Sequence, residues 1–174
     1  MPTAEARTRD VVIGLGNPLM GDDGTGLAAL ERLRDEWAVP DDIELVDGGT
    51  WGMNLLPTLE TARRVLFLDA IHAGRAPGTA VRLIDEEIPR ALALKLSPHQ
   101  VDLRDVLAVA QLRGTLPQVS VAIGLQPGVL DMGVGLSYAV EENIDRLLEM
   151  AVDQLRAWGH DCVPVCMPEA VPGA

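Results

Sequence analysis

The sequence predicts an α/β protein with a mostly parallel sheet that is covered by helices on both faces. Short apolar, β-favouring runs alternate along the chain with segments of helical periodicity, and this order builds parallel sheets. Carboxylates lie at the ends of the first three apolar runs, where ligands bind in open α/β sheets. The 174 residues are expected to form a single domain over 1–174, with loose tails at 1–9 and 161–174.

The first predicted unit is a strand, a turn and a helix. Residues 11–15 form an apolar run that is typical of a buried central strand. The turn after it contains two adjacent acids, Asp22 and Asp23. From Leu27 the leucines recur every three residues along one stripe, which predicts a helix over about 25–37. The unit places carboxylates at the carboxyl end of a strand.

Three more strands are predicted in the middle of the chain. Residues 43–46 form the second strand, which is followed by Asp47. The third strand, 64–70, is continuously apolar and contains Asp69 near its end. Residues 79–84 alternate between apolar and polar side chains, which predicts a fourth, less buried strand.

The remaining elements follow from periodicity and from proline and serine signals. A helix is expected over 51–62, with a break near Pro57 because proline lacks the amide hydrogen that a helix interior needs. Another helix is expected over about 101–113, and a fifth strand over 118–125. The last helix is expected to begin after Ser137, whose side chain would cap it.

Composition restricts the kind of partner. The net charge of −12 argues against nucleic acid, because contacts to a phosphate backbone require clustered Lys and Arg. No apolar run approaches the roughly 20 residues of a spanning helix, and the first ten residues lack the apolar region of a signal peptide. We therefore expect a cytoplasmic protein that binds no membrane. Nothing in the sequence demands a dimer, so a monomer is expected. Cys162 and Cys166 are interpreted as incidental thiols, since no companion pair completes a zinc site.

The strand-end acids are the candidate functional residues. The carboxyl ends of parallel strands share one edge, so these carboxylates are expected to converge. Like charges in one crevice repel, and a bound cation relieves that repulsion. Carboxylates with one imidazole suit a divalent transition metal that keeps open coordination positions. Asp47 has an alternative role as a turn acid.

Three histidines could supply the imidazole. His99 lies in a loop stiffened by Pro98 and could reach the crevice, although it could equally begin the following helix. His72 lies three residues after Asp69 and is a reserve ligand or substrate contact. His160 lies in the tail and is the poorest candidate.

Two other interpretations of the opening stretch compete with a metal site. Gly14 and Gly16 suggest a dinucleotide fingerprint, but the third glycine of that pattern would fall at Leu19, whose side chain blocks close helix approach. The segment GLGNP also resembles the opening of peptidyl-tRNA hydrolases. That resemblance ends after five residues, and the acidic charge disfavours tRNA.

Five blocks together resemble the hydrogenase maturation endopeptidases, in the order and spacing of that family. They are GLGNPLMGDDGTG (14–26), VDGGTWGMNLL (46–56), VLFLDAIHAGRAPGT (65–79), LSPHQVDLRDVL (96–107) and IGLQPGVLDMGVGLS (123–137). The resemblance implies a three-layer α/β/α sandwich of the phosphorylase/hydrolase-like type, with a twisted, mostly parallel five-stranded sheet.

The resemblance also implies a metal-binding triad, which falls on Asp23, Asp69 and His99. The family often has Glu at the first position, so the shorter Asp23 makes Asp22 a reserve ligand. Asp47, in the DGGT block, resembles the family's additional acid near the site, and we assign it to substrate contact or cleavage chemistry.

By resemblance, the activity is that of a nickel-dependent processing endopeptidase, in a family often classed as aspartic-type. The substrate would be the large-subunit precursor of a nickel-iron hydrogenase, which loses a C-terminal extension after nickel insertion. The nickel would be carried by the substrate, and zinc or cadmium could occupy the site in vitro. The alternative is a non-catalytic docking or chaperone module for the same precursors.

Overall fold

A five-stranded sheet organises the fold in a computed structural model, which describes residues 7–92 and 103–165. The strands of the described residues are β1 (Asp10–Leu15), β2 (Trp37–Ala38), β3 (Ile43–Gly49), β4 (Arg64–Ala70), β5 (Ala80–Ile84), β6 (Val119–Leu125) and β7 (Val163–Pro164). Of these, β2 and β7 form a separate pair, and the other five form the main sheet in the order β3-β1-β4-β6-β5. Its first four members run parallel, and β5 pairs antiparallel with β6 at one edge. The mostly parallel five-stranded sheet is confirmed.

Helices cover both faces of this sheet. They are α1 (Thr25–Glu36), α2 (Leu56–Thr61), α3 (Glu87–Leu92), α4 (Leu103–Leu112), α5 (Tyr138–Glu141) and α6 (Ile144–Ala157). Alternate residues of β1 point to opposite faces: Val12 packs with α1 and α6, whereas Val11 and Ile13 pack with α2, α3 and α4. The predicted three-layer sandwich is confirmed. Within the described residues, no helix combines the length and the apolar character needed to cross a bilayer.

The strand order creates a crevice at the carboxyl edge of the sheet. From β1 the chain passes to β3 on one side, and then returns to β4 on the other side of β1. The connections that leave the neighbouring strands β1 and β4 therefore run in opposite directions, and ligands bind in the crevice that opens at such a point. The parallel register places Asp47 beside Gly14 and Asp69 beside Gly124, so both acids lie at this edge.

Two helix predictions need correction. The segment predicted as one helix over 51–62 is a 3₁₀ turn at Gly52–Leu55 followed by α2, and Pro57 lies in the first turn of α2. Proline is tolerated there because the first amides of a helix have no intrahelical acceptor. The last helix is divided into α5 and α6. Ser137 does precede α5, but its side chain makes no capping hydrogen bond, because its hydroxyl donates to Asp22.

The prediction of a loose tail from residue 161 onward is wrong for 161–165. Cys162 is fully buried in the core beside α6. β7 pairs antiparallel with β2, and the amide of Val165 donates to the carbonyl of Glu36 at 2.8 Å. Burial of apolar surface and backbone pairing therefore hold this segment. Residues 166–174, which include Cys166, lie outside the described residues.

A buried ionic cluster lies at the amino edge of the sheet. Asp10, at the start of β1, is fully buried and accepts hydrogen bonds from Arg63 and Arg64. The Nε2 atom of His160 lies 2.6 Å from an Asp10 carboxylate oxygen. His160 is thus buried at the edge opposite the predicted site.

Candidate active site

The turn after β1 fixes the first predicted ligand, Asp23. Gly16 has φ +117°, and a Cβ there would lie 1.8 Å from the carbonyl oxygen of Asp23, so only glycine fits. The amide of Asn17 donates to Oδ2 of Asp23 at 2.9 Å. The side chain of Asn17 in turn accepts the amide of Leu19 at 3.0 Å. The GLGNP segment therefore builds the turn that holds Asp23, a role for Asn17 that the sequence analysis did not assign.

The second predicted ligand, Asp69, lies on β4 beside this turn. Its side chain is buried, and its Oδ1 accepts the amide of Ala70 at 2.8 Å. The 3₁₀ turn at Gly21–Gly24 contacts β4. A Cβ on Gly26 would lie 2.0 Å from the carbonyl oxygen of Leu68, so α1 begins directly against this strand. Asp23 and Asp69 thus belong to contacting elements at one edge of the sheet.

Asp22 has a different role from its neighbour. Its side chain is fully buried, and its Oδ1 accepts the Ser137 amide at 2.6 Å. Its Oδ2 accepts the amides of Gly128 and Val129 and the Ser137 hydroxyl, each at 2.8 Å. Burial raises the pKa of Asp22, but these hydrogen bonds outweigh burial and hold its pKa below the ordinary value. Both carboxylate oxygens therefore tie the turn to the segment after β6.

The segment after β4 carries the reserve residue His72. His72 is half-buried and borders the same small, mostly apolar pocket as Asp69. The buried side chain of Gln126 accepts the amides of Ala73 at 2.8 Å and Arg75 at 3.2 Å through Oε1. Gln126 thus positions the residues that follow His72. This role could not be predicted from the sequence, although the IGLQPG block contains the residue.

Asp47, the predicted acid for cleavage or substrate contact, is exposed at the end of β3. It borders a groove of about 370 Å³. The groove lies between α1, the turn after β1 and the segment after β6; its lining includes Gly21, Gly24, Leu27, Glu31, Arg34, Val134 and Leu136. Gly21 and Gly24 flank the acidic pair, so Asp47 shares this groove with the turn that holds Asp23.

The third predicted ligand, His99, lies outside the described residues. Among residues 7–92 and 103–165, no three Asp, Glu, His or Cys side chains form a group that could hold a metal ion. The described part of the site thus contains two of the three predicted ligands, Asp23 and Asp69.

The fold and the site define the class of protein. It is an α/β/α sandwich that carries an acidic site at the carboxyl edge of a mostly parallel sheet, where the strand order reverses. The chain belongs to the hydrogenase maturation protease family, whose family model matches residues 27–154. Asp47, Asp69 and His99 fall within the matched residues, and Asp23 precedes them. Membership identifies the class of activity as hydrolysis of a peptide bond in hydrogenase maturation.

Individual relatives agree with the family. The chain is 43% identical over 153 residues to a hydrogenase expression/formation protein, HupD, of Rhodobacter capsulatus, covering 87% of this chain and 73% of the relative. It is 37% identical over 157 residues to the hydrogenase 2 maturation protease of Escherichia coli, covering 90% and 96%. The solved hydrogenase maturating endopeptidase HybD from E. coli has a TM-score of 0.85 at 37% identity, covering 90% of this chain and 97% of that one.

Proposed function

We propose that this chain removes the C-terminal extension of a nickel-iron hydrogenase large-subunit precursor after nickel insertion. The observation that carries the proposal is the pairing of elements at the carboxyl edge, where the turn holding Asp23 contacts the strand holding the buried Asp69. In a member of a hydrogenase maturation protease family, such an acidic edge is suited to a substrate that carries a metal cation.

The nickel in this proposal is part of the substrate. Asp23 and Asp69 would offer carboxylate oxygens, and His99 an imidazole nitrogen, to an ion that the precursor already holds on its own thiolates. Imidazole and carboxylate are accepted by nickel, and they also suit zinc or cadmium, which could therefore occupy the site in vitro. Nickel dependence follows because the coordination would be completed only when the precursor is loaded.

Asp47 is proposed to act on the scissile bond. Water adds to the peptide carbonyl carbon and its proton passes to the Asp47 carboxylate; the C–N bond then breaks as the leaving amine takes up that proton. The exposure of Asp47 in the groove leaves it accessible to a peptide and to water. A carboxylate base of this kind would agree with an aspartic-type classification.

The proposed setting is the cytoplasm, with the protein acting as a monomer. The net charge of −12 disfavours association with nucleic acid or with an anionic membrane surface. The hydrogenase precursor would then be the partner that the acidic site binds.

The mass of the precursor tests the proposal. Wild-type protein should shorten nickel-loaded precursor and leave nickel-free precursor intact. Asp23→Asn, Asp69→Asn and His99→Ala should each slow processing by at least about 100-fold, since loss of even outer partners of a metal site costs about 10–100-fold. Asp47→Asn should bind the loaded precursor and fail to cut it.

Asp153→Asn is the matched control for that assay. Asp153 lies exposed on α6, in a 3.8 Å pair with Arg156, and its loss should leave the rate unchanged. Normal processing by both Asp69→Asn and His99→Ala would refute the proposed recognition of nickel by these side chains.

A second candidate function is a docking or chaperone module for the same precursors. It is favoured by the apolar side chains exposed after β6, which include Met132 and Val134. The same mass measurement separates the two functions, because a docking module would bind the loaded precursor and leave its mass unchanged.

A further inference from the structure

The segment after β6 exposes several large apolar side chains. We call residues 128–136 the apolar loop. Within it, Met132 and Val134 are 88% and 87% exposed, and Val129 is 46% exposed. Leu19, 59% exposed, adjoins the loop because its carbonyl accepts the amide of Gly133 at 2.9 Å. A contiguous exposed apolar patch on a protein surface marks an interaction site.

The apolar loop is held at both ends. Asp22 accepts hydrogen bonds from the amides of Gly128 and Val129 at its start, and from Ser137 just beyond its end. The amide of Gly21 also donates to the carbonyl of Gly133 at 3.0 Å in the middle of the loop. The exposed side chains are therefore presented on a fixed backbone. A surface ordered before binding loses less conformational entropy when a partner docks.

The position and charge of the apolar loop identify its partner. Val134 and Leu136 line the groove that Asp47 borders, so the loop is continuous with the proposed cleavage site. Residues 126–137 contain one charged side chain, Asp131, in a chain of net charge −12. The loop is thus a nearly neutral, apolar area beside the groove that Asp47 borders, and it fits an apolar segment of the molecule whose peptide bond enters that groove.

We propose that the apolar loop and Leu19 form the docking surface for an apolar segment of the hydrogenase precursor next to the bond that is cut. This inference rests on the proposed function, which supplies the partner and places cleavage at this edge. A second copy of the chain is the less fitting occupant, because it would cover the groove that the substrate must enter.

The test is the double variant Met132→Ser/Val134→Ser with nickel-loaded precursor. Both side chains are exposed, so the variant should retain the wild-type melting temperature. The KM should rise at least tenfold and kcat should stay within a factor of two, since uniform binding is lost and the reacting groups are unchanged. Direct binding of loaded precursor, followed without cleavage, should weaken by the same factor.

Leu112→Ser is the matched control. Leu112 is 88% exposed at the end of α4, where the chain turns toward the amino end of β6, at the edge opposite the site. Its KM and binding should equal those of wild type.

The possible failures are distinguishable. Wild-type protein that binds loaded precursor without shortening it would refute the proposed cleavage, and the binding assay would still test the docking surface. A double variant with wild-type KM and wild-type binding would overturn the docking surface. So would a wild-type dimer in sedimentation that the double variant converts to monomer without a change in precursor binding.

Discussion

Two fully buried aspartates show how the surroundings of a residue decide its role. Asp10 accepts hydrogen bonds from Arg63 and Arg64, whose positive charges offset its negative charge, and it lies beside His160. Asp22 is held by amides and one hydroxyl, which satisfy its oxygens and leave its negative charge in place beside Asp23. A retained negative charge favours a cation nearby. Asp10 thus stabilises the fold. Asp22 holds the segment after β6 in place and adds negative electrostatic potential at the site.

Replacing Asp10 by Asn should cost about 3–5 kcal/mol of unfolding free energy at pH 7, because its fully buried carboxylate is the ion-pair partner that the half-buried Arg63 and Arg64 share. Burial raises the pKa of Asp10, but hydrogen bonds from Arg63, Arg64 and His160 outweigh burial and hold its pKa well below the ordinary value. A lowered folded pKa gives stability that is present above the unfolded value of about 3.9 and is lost as pH falls through the folded value. Urea unfolding of wild type and of Asp10→Asn should therefore show a difference in unfolding free energy that becomes smaller below about pH 4.

Glu44→Gln is the control for the Asp10 variant. Glu44 pairs with Arg9 at 3.6 Å on the surface, and exposed pairs contribute about 0–1 kcal/mol. Equal losses of unfolding free energy for Asp10→Asn and Glu44→Gln at pH 7 would contradict the prediction that the ionic cluster around Asp10 stabilises the fold.

At the scale of elements, α1 lies in close backbone contact with two central strands, β1 and β4, at its amino end. A Cβ on Gly26 would lie 2.0 Å from the carbonyl oxygen of Leu68 and 2.4 Å from that of Leu15. Both obstacles are backbone atoms of buried strands, which no rotamer change can move. Gly26→Ala should therefore lower the unfolding free energy by at least about 3 kcal/mol, the upper part of the usual range for overpacking. Thermal unfolding measures the loss.

Gly133→Ala gives the comparison for Gly26→Ala. A Cβ on Gly133 would meet nothing within 4 Å, so this variant should unfold within about 0.5 kcal/mol of wild type, as surface substitutions usually do. A stable Gly26→Ala protein would mean that α1 can shift away from β1 and β4.

Elements with a strong local signal could be predicted from the sequence. The continuous apolar run at 64–70 is β4 without adjustment, because a central parallel strand is buried on both faces. α3 was missed, because it is a short helix at Glu87–Leu92 with Pro89 inside it. The pairing of β2 with β7 was missed because two-residue strands carry no periodic pattern.

The site residues, like the elements, could be predicted only where a local sequence signal exists. Asp23 and Asp69 could be placed at one edge because strand ends in parallel sheets coincide. The role of Asp22 could not be read, because its hydrogen-bond donors lie 106 to 115 residues away in the chain. For the same reason His160, 150 residues from Asp10, was assigned to a tail. Long-range partners of a buried charge leave no local signal.

For the whole molecule, the residues that stabilise the fold and the residues of the candidate site lie at opposite edges of the sheet. Arg63 and Arg64 pair with the buried Asp10 at the amino edge, where β1 and β4 begin. The candidate catalytic and ligand acids lie at the carboxyl edge, where the same strands end. On β4, Arg64 lies at the amino edge and Asp69 near the carboxyl edge. The two residues are five positions apart, and a strand rises about 3.3 Å per residue, so roughly 16 Å separates them.

This separation predicts that the edges are energetically independent. Effects of substitutions more than about 10 Å apart usually add to within about 0.5 kcal/mol. In the cycle of Asp10→Asn, Asp69→Asn and the double variant, the unfolding free energies measured in urea should therefore add within that limit. Below its melting temperature Asp10→Asn should cut loaded precursor at the wild-type rate, whereas Asp69→Asn should cut it at least about 100-fold more slowly. His160→Gln can replace Asp10→Asn if the latter is too unstable to purify. A coupling above about 1 kcal/mol, or a folded Asp10→Asn protein without activity, would mean that β1 and β4 transmit strain from the ionic cluster to the site.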